Sequence, residues 1–190
     1  MMALQLQMNP HFFYNGLSIV QYTLEEMDRY RESTAISYFS RILRYNMHPE
    51  VLAAIGKELE CVRNYVEFVN AFRSPGMEVD YRVDEALMDL RIPKFILQPF
   101  AENAIKYGDG RYLIVYAAYN QEKLVVQVKN TGTISDNVRW AVKETLKDAY
   151  VKENTGKIGL KNIATRLKLL WEGRGSGNLE EKGWVIVNPR

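Results

Sequence analysis

At Arg73-Ser74-Pro75-Gly76 the apolar residues of this chain change period. Upstream, Phe13, Leu17, Val20, Leu24 and Met27 recur at spacings of four, three, four and three, which is a heptad seam on a helix, and Ile55, Leu59, Val62, Val66 and Val69 keep the same rhythm. Downstream, Met77, Val79, Tyr81 and Val83 alternate, as a strand with one buried face does. A chain that uses one period and then the other is expected to be α+β, with its border at that Pro-Gly turn. Two long helices cannot cover both of their own seams. A second identical pair can, so residues 1–74 are expected to form a helical hairpin that dimerises into a four-helix bundle, and residues 75–190 a separate α/β sandwich.

Between the seams, a shorter amphipathic stretch over 34–46 carries Ile36, Phe39, Ile42 and Leu43, and His48-Pro49 turns the chain into the next helix. Past the border, strands are expected over 77–83, 111–119, 123–129 and 183–187, and helices over 93–107, 136–149 and 159–171. The short link Asn120-Gln121-Glu122 makes 111–119 and 123–129 a hairpin, so the sheet is at least partly antiparallel, with helices on one face.

Charge excludes a nucleic-acid role: 25 Lys+Arg stand against 23 Asp+Glu, without a basic cluster. Cys61 is the only cysteine, which rules out an intramolecular disulfide and reads as a buried thiol in a reducing compartment. The uncharged run before Glu25 is not a membrane span, because Gln5, Gln7, Asn9, His11, Asn15 and Gln21 interrupt it and Pro10 breaks it. Since the chain opens in the middle of an amphipathic pattern, it is expected to be a piece of something longer.

Three constellations can carry chemistry. In Asn9-Pro10-His11, Asn suits an N-cap and Pro the first helical position, which puts His11 where free amides favour negative charge. If the helix instead runs in from upstream, Pro10 kinks it; either way His11 sits at a backbone irregularity with Asn15 one turn on. Taken alone this reads as a surface histidine near a helix end, yet it is a better nucleophile candidate than His48, which has no orienting partner in sequence. Next, on a helix, Glu102, Asn103 and Lys106 fall within one turn: an amide oxygen can hold Mg²⁺, a carboxylate can accept a proton, and an ammonium can meet phosphate. A solvated polar face has the same composition. Last, Asn130-Thr131-Gly132 ends a strand and Thr155-Gly156-Lys157-Ile158-Gly159-Leu160 opens a helix, where glycine lets backbone amides approach a polyphosphate. The 22 residues Thr133 to Asn154 between them have the length and amphipathic pattern of a lid.

In this order the segments resemble the sensor histidine kinases of the LytS/YehU/YesM type over nearly the whole chain. Leu4-Gln5-Leu6-Gln7-Met8-Asn9-Pro10-His11-Phe12-Phe13-Tyr14-Asn15 is similar to that family's phosphoacceptor motif, and Lys57 through Val66 to its acidic, tyrosine-containing second helix. Ile92-Pro93 through Gly108 resembles its N box, and Gly156 through Asn162, followed by Arg166-Leu167, its second glycine box. The resemblance implies a helical dimerisation and phosphoacceptor domain followed by a Bergerat-type (GHKL) ATP-binding domain. It implies ATP and Mg²⁺ as cofactors, His11 as the phosphorylated residue, Glu102 polarising its imidazole, and Asn103 holding the metal. Lys106, Tyr107, Asn130, Gly132, Gly156, Lys157, Ile158, Gly159 and Leu160 are then the nucleotide-binding residues. The implied partners are a second copy of the chain and a response-regulator receiver domain, and the implied location is cytoplasmic, with membrane attachment only through an upstream segment. The alternative is a dimeric ATP-binding regulator without phosphotransfer. Two positions depart from the family pattern. Asn130 stands where an aspartate usually contacts adenine, without the second glycine of that box, and Lys157 replaces a glycine.

Overall fold

The computed structural model describes residues 10–107, 111–120, 123–130, 176–180 and 183–189. Three helices come first: α1 (Pro10–Glu26), α2 (Tyr30–Met47) and α3 (Ile55–Asn70). Asp28, at φ 56°, turns the chain tightly between α1 and α2, and the two pack together as a helical hairpin. Their join is shallow. Phe13, Leu17 and Leu24 of α1 are half-buried, and no residue of α1 is fully buried. Val20 and Met27 of the same seam, together with Phe12 and Ile19, stay exposed. The helical hairpin and the α+β class are as expected.

The second seam has a different fate. Ile55, Leu59, Val62 and Val66 of α3 lie in one core cluster with Leu97, Phe100 and Ala101 of α4 (Leu97–Tyr107) and with Leu113, Val115, Val126 and Val128 of the sheet. The expected partner for this seam was another copy; it is covered within the chain, because α4 and the sheet present a continuous apolar face to it. The core therefore runs across the turn at Ser74-Pro75.

The main sheet has the order β2 (Glu78–Val83), β4 (Tyr112–Asn120), β5 (Lys123–Asn130), β7 (Gly183–Pro189), β6 (Ser176–Glu180). β2 and β4 are parallel and the other neighbours antiparallel, with Asn120 opposite Lys123 at the expected hairpin. Alternation does its work: Leu113, Val115, Ala117, Leu124, Val126 and Val128 are buried beneath the helices, while Ile114, Tyr116, Gln127 and Lys129 line a shallow depression on the other face. A two-stranded ribbon, β1 (Leu52–Ala54) with β3 (Arg91–Pro93), ties the start of α3 to the start of α4. These strands of three residues are too short for a period to announce.

The helix expected over 93–107 begins at Leu97. Pro93 ends β3, and Phe95 at φ 64° lies in the left-handed region that a helix cannot pass through. The helices expected over 136–149 and 159–171 lie outside the described residues. Among the described residues, no helix is long and apolar enough to cross a membrane.

Candidate functional site

His11 is exposed on α1, and Asn9, its expected cap, lies outside the described residues. The Asn15 side-chain nitrogen is 3.2 Å from His11 Nδ1. The contact orients the imidazole on the helix face, and which ring nitrogen carries the proton follows from which end of the amide meets Nδ1. The expected pairing of His11 with the residue one turn on is therefore present.

The N-box side chains share one helix. Phe100, Ala101, Ala104 and Ile105 bury the apolar face of α4, so Glu102 and Asn103 emerge half-buried at its edge and Lys106 is exposed in the last turn. Tyr107 is the last residue of α4. Glu102 turns toward α3: Gln98 Nε2 donates to its carboxylate at 2.8 Å, and Cys61 Sγ donates to Gln98 Oε1 at 3.2 Å. Burial, helped by the charges of Glu58 and Glu102, pushes the Cys61 thiol up to about 12. Burial, then Glu102, also raises Tyr65.

Asn130 closes β5 with its backbone paired opposite Leu113. Its side chain is 7% exposed, and among the described residues neither Oδ1 nor Nδ2 has a hydrogen-bond partner. A buried carboxamide with both ends unsatisfied is costly, about 1–3 kcal/mol by protein mutational experience. Such a group is kept where a ligand completes it. One acceptor beside one donor matches the Watson–Crick edge of adenine, whose amino group donates and whose N1 accepts. The residues present therefore fit an adenine nucleotide, and the amide offers a donor that an aspartate at this position lacks.

The remaining expected nucleotide residues, Gly132, Gly156, Lys157, Ile158, Gly159 and Leu160, lie outside the described residues. Among the described residues no cluster of three His, Cys, Asp or Glu side chains could hold a metal ion. α4 packs on α3, β4 and β5, whereas α1 packs on α2, so the structure gathers Glu102, Asn103, Lys106 and Asn130 around the sheet and leaves His11 on the hairpin.

A cavity of about 640 Å³ opens between the hairpin and α3, walled by Tyr14, Ser18, Arg41, Arg44, Lys57 and Arg91 among others. Neither Glu102, Asn103 and Lys106 nor Asn130 lines it, so it is separate from the adenine-matching group.

Sequence reasoning passed over the residues that hold α4. Glu58 is fully buried and accepts from the backbone N–H of Phe95, Ile96 and Leu97 and from Tyr45 Oη. Lys94 is 1% exposed, and its ammonium donates to the His48 carbonyl at 2.6 Å. A signal was available: Glu58 lies three residues after Ile55, on the apolar side of α3, where an ionised group needs partners.

A family model described as histidine kinase matches residues 1–74. Sensor histidine kinase YpdA of Escherichia coli is 31% identical over 206 residues, covering 99% of this chain and 34% of that protein. Sensor histidine kinase YesM of Bacillus subtilis is 30% identical over 195 residues, covering 97% and 32%. Sensor protein LytS of Oceanobacillus iheyensis is 34% identical over 110 residues, covering 57% and 19%. The chain spans about a third or less of the length of these relatives.

Proposed function

This chain belongs to the sensor histidine kinases of the LytS/YehU/YesM type, and we propose that it is the cytoplasmic kinase core of a two-component sensor, phosphorylating itself on His11 from ATP and passing the phosphoryl group to a response-regulator aspartate. The observation that carries the reading is the Asn130 carboxamide, buried with both polar atoms unpartnered beside a helix that offers Asn103 and Lys106.

In this reading the helical part up to residue 74 supplies dimerisation and the phosphoacceptor, and residues 75–190 supply a Bergerat-type ATP site whose core borrows α3. Asn130 binds the adenine edge. Asn103 holds Mg²⁺ through its amide oxygen, a hard ligand of the kind that cation accepts alongside phosphate oxygens and water. When bound, the metal neutralises charge on the transferring phosphates. Lys106 and Tyr107 line the nucleotide, and Gly132 with Gly156, Lys157, Ile158, Gly159 and Leu160 complete the cradle of backbone amides.

The imidazole of His11 attacks the γ-phosphorus through a ring nitrogen, Nε2 or Nδ1. A nitrogen–phosphorus bond forms, the bond from that phosphorus to the β,γ-bridging oxygen breaks, and ADP leaves with the electron pair. Asn15 orients the ring, and Glu102 is the candidate to polarise the imidazole and take up its proton once the hairpin and the nucleotide site meet. Positioning and charge neutralisation supply most of the acceleration. The exposed Phe12, Ile19 and Val20 on a helix with no buried residue, with exposed Met27 just past its end, support a second copy packing on α1.

Incubation of the purified chain with γ-labelled ATP and Mg²⁺ tests the reading. An acid-labile phosphoryl group, absent from His11→Gln, is expected. Nucleotide binding without label would favour a dimeric ATP-binding regulator that has lost phosphotransfer.

A further inference from the structure

The peptide entering α4 is held from two sides. From α3, one Glu58 oxygen accepts Phe95 N–H at 2.8 Å and the other accepts Ile96 and Leu97 N–H, each at 2.9 Å. These are the donors that a helix start leaves unsatisfied, and a carboxylate there also meets the positive end of the helix dipole. From α2, Tyr45 Oη donates to the same carboxylate. The Tyr45 ring stands edge to face with Phe95 at 5.9 Å, and the Lys94 ammonium lies 4.6 Å from the Tyr45 ring centre and 4.9 Å from that of Phe95. Lys94 also grips the His48 carbonyl just past the end of α2.

The backbone cost of this arrangement is visible. Phe95 sits at φ 64°, a conformation that is costly for a bulky residue and persists where the surroundings over-determine it. Here the over-determination is one fully buried carboxylate with four donors. Asn103 lies six residues beyond Leu97, about 9 Å along the same rigid helix axis. The orientation of the Asn103 and Glu102 side chains therefore follows from how the start of α4 is seated.

We propose that Tyr45 and Glu58 are a positioning pair that couples the histidine-bearing hairpin to the nucleotide site: Glu58 seats α4, and the Tyr45 hydroxyl ties that seat to the last turns of α2. Of the four hydrogen bonds to Glu58, only the one from Tyr45 is contributed by the hairpin. A displacement of α2 breaks it while leaving the three amides in place. Coupling of this kind is reciprocal, so filling the nucleotide site stiffens the end of α2, and moving α2 alters how α4 presents Asn103. The inference rests on the nucleotide-binding reading of α4.

The test is hydrogen exchange on the full chain, with and without Mg²⁺ and a non-hydrolysable ATP analogue, alongside calorimetric titration of the same analogue. In the unaltered chain the analogue is expected to slow exchange both in α4 and in residues 42–48. In Tyr45→Phe, which keeps the ring and removes only the hydroxyl, the α4 response persists and the α2 response falls by about fivefold or more, the lower range of allosteric couplings. A merely structural hydroxyl would speed exchange in α2 equally with and without analogue, and an undiminished α2 response in Tyr45→Phe overturns the proposal. Titration separates this failure from the other one: an unaltered chain that binds no analogue refutes the nucleotide reading and the coupling with it. Glu58→Gln, which presents an amide where three donors need acceptors, should lose the α4 response as well. Retention of both responses in that variant also overturns the proposal.

Discussion

Replacing Asn130 by leucine separates a ligand-binding group from a structural one. The side chain is 7% exposed, lies at the end of a strand whose Leu124, Val126 and Val128 are buried, and has neither polar atom satisfied. Leucine has the same number of side-chain heavy atoms and no hydrogen-bonding group. Removing an unpaired buried amide recovers its desolvation cost, about 1–3 kcal/mol, so Asn130→Leu should make the unliganded protein more stable. For a chain of this size each kcal/mol moves Tm by about 2–4 °C. The same substitution deletes two hydrogen bonds to adenine, each worth about 0.5–1.5 kcal/mol net, so ATP affinity should fall roughly tenfold to a hundredfold. A thermal melt with and without Mg²⁺-ATP reads both effects: the unliganded Tm rises while the ligand-induced shift shrinks. A structural role predicts the reverse. If Asn130→Leu melts lower than the unaltered chain, or keeps its full nucleotide shift, the assignment of Asn130 to the adenine edge is wrong.

Two further substitutions have defined outcomes. Asn103→Asp keeps the shape of a half-buried side chain but puts a charge at the metal, so it should fold normally and lose at least about tenfold in autophosphorylation measured by label incorporation, the scale of a displaced catalytic contact. Unchanged labelling would remove Asn103 from the metal role. Cys61 should resist iodoacetamide at pH 8 in the native chain and react freely in urea, because burial raises its pKa from the ordinary 9.0 to about 12. The sign follows from linkage: the folded state holds the thiol proton more tightly, so this contribution to stability is intact below pH 9.0 and is lost between 9.0 and about 12. Cys61→Ala should remove that part of the alkaline loss in urea titrations carried out across this range.

Much of the architecture was legible because period is a local property. The seam of α1, the alternation of β2, the β4–β5 hairpin and the polar edge of α4 all follow from spacings within a dozen residues. What escaped was long-range partner choice. The stripe Ile55, Leu59, Val62, Val66 announces a helix with one apolar face, but spacing carries no information on whether a second chain or α4 covers it. The start of α4 was misjudged by four residues for a related reason: Pro93 and Pro99 both suit a first helical turn, and the choice between them is made by Glu58, thirty-seven residues before Phe95. At Asn130 the sequence showed the departure from aspartate, while only burial and the missing partners reveal that both ends of the amide await a ligand.

The distribution of buried contacts also decides where the chain can bend. α3 shares Ile55, Leu59, Val62 and Val66 with α4 and the sheet, so lifting it from them would expose these four, each side chain worth about 1.5–3 kcal/mol of burial. The contact of α2 with α3 is broad but buries fewer apolar side chains. The hairpin rests on α3 through Ala35, Ile42 and the stacking of Phe39 on Phe68 at 5.5 Å, and through the clasp of Tyr45 and His48 by Glu58 and Lys94. A swing that brings His11 to a nucleotide bound near Asn103 is therefore cheapest at exposed His48, Pro49, Glu50 and Val51, between α2 and β1, rather than at Ser74-Pro75. Such a hinge carries α1 and α2 as one body and strains the Tyr45–Glu58 bond before any apolar core contact of α3.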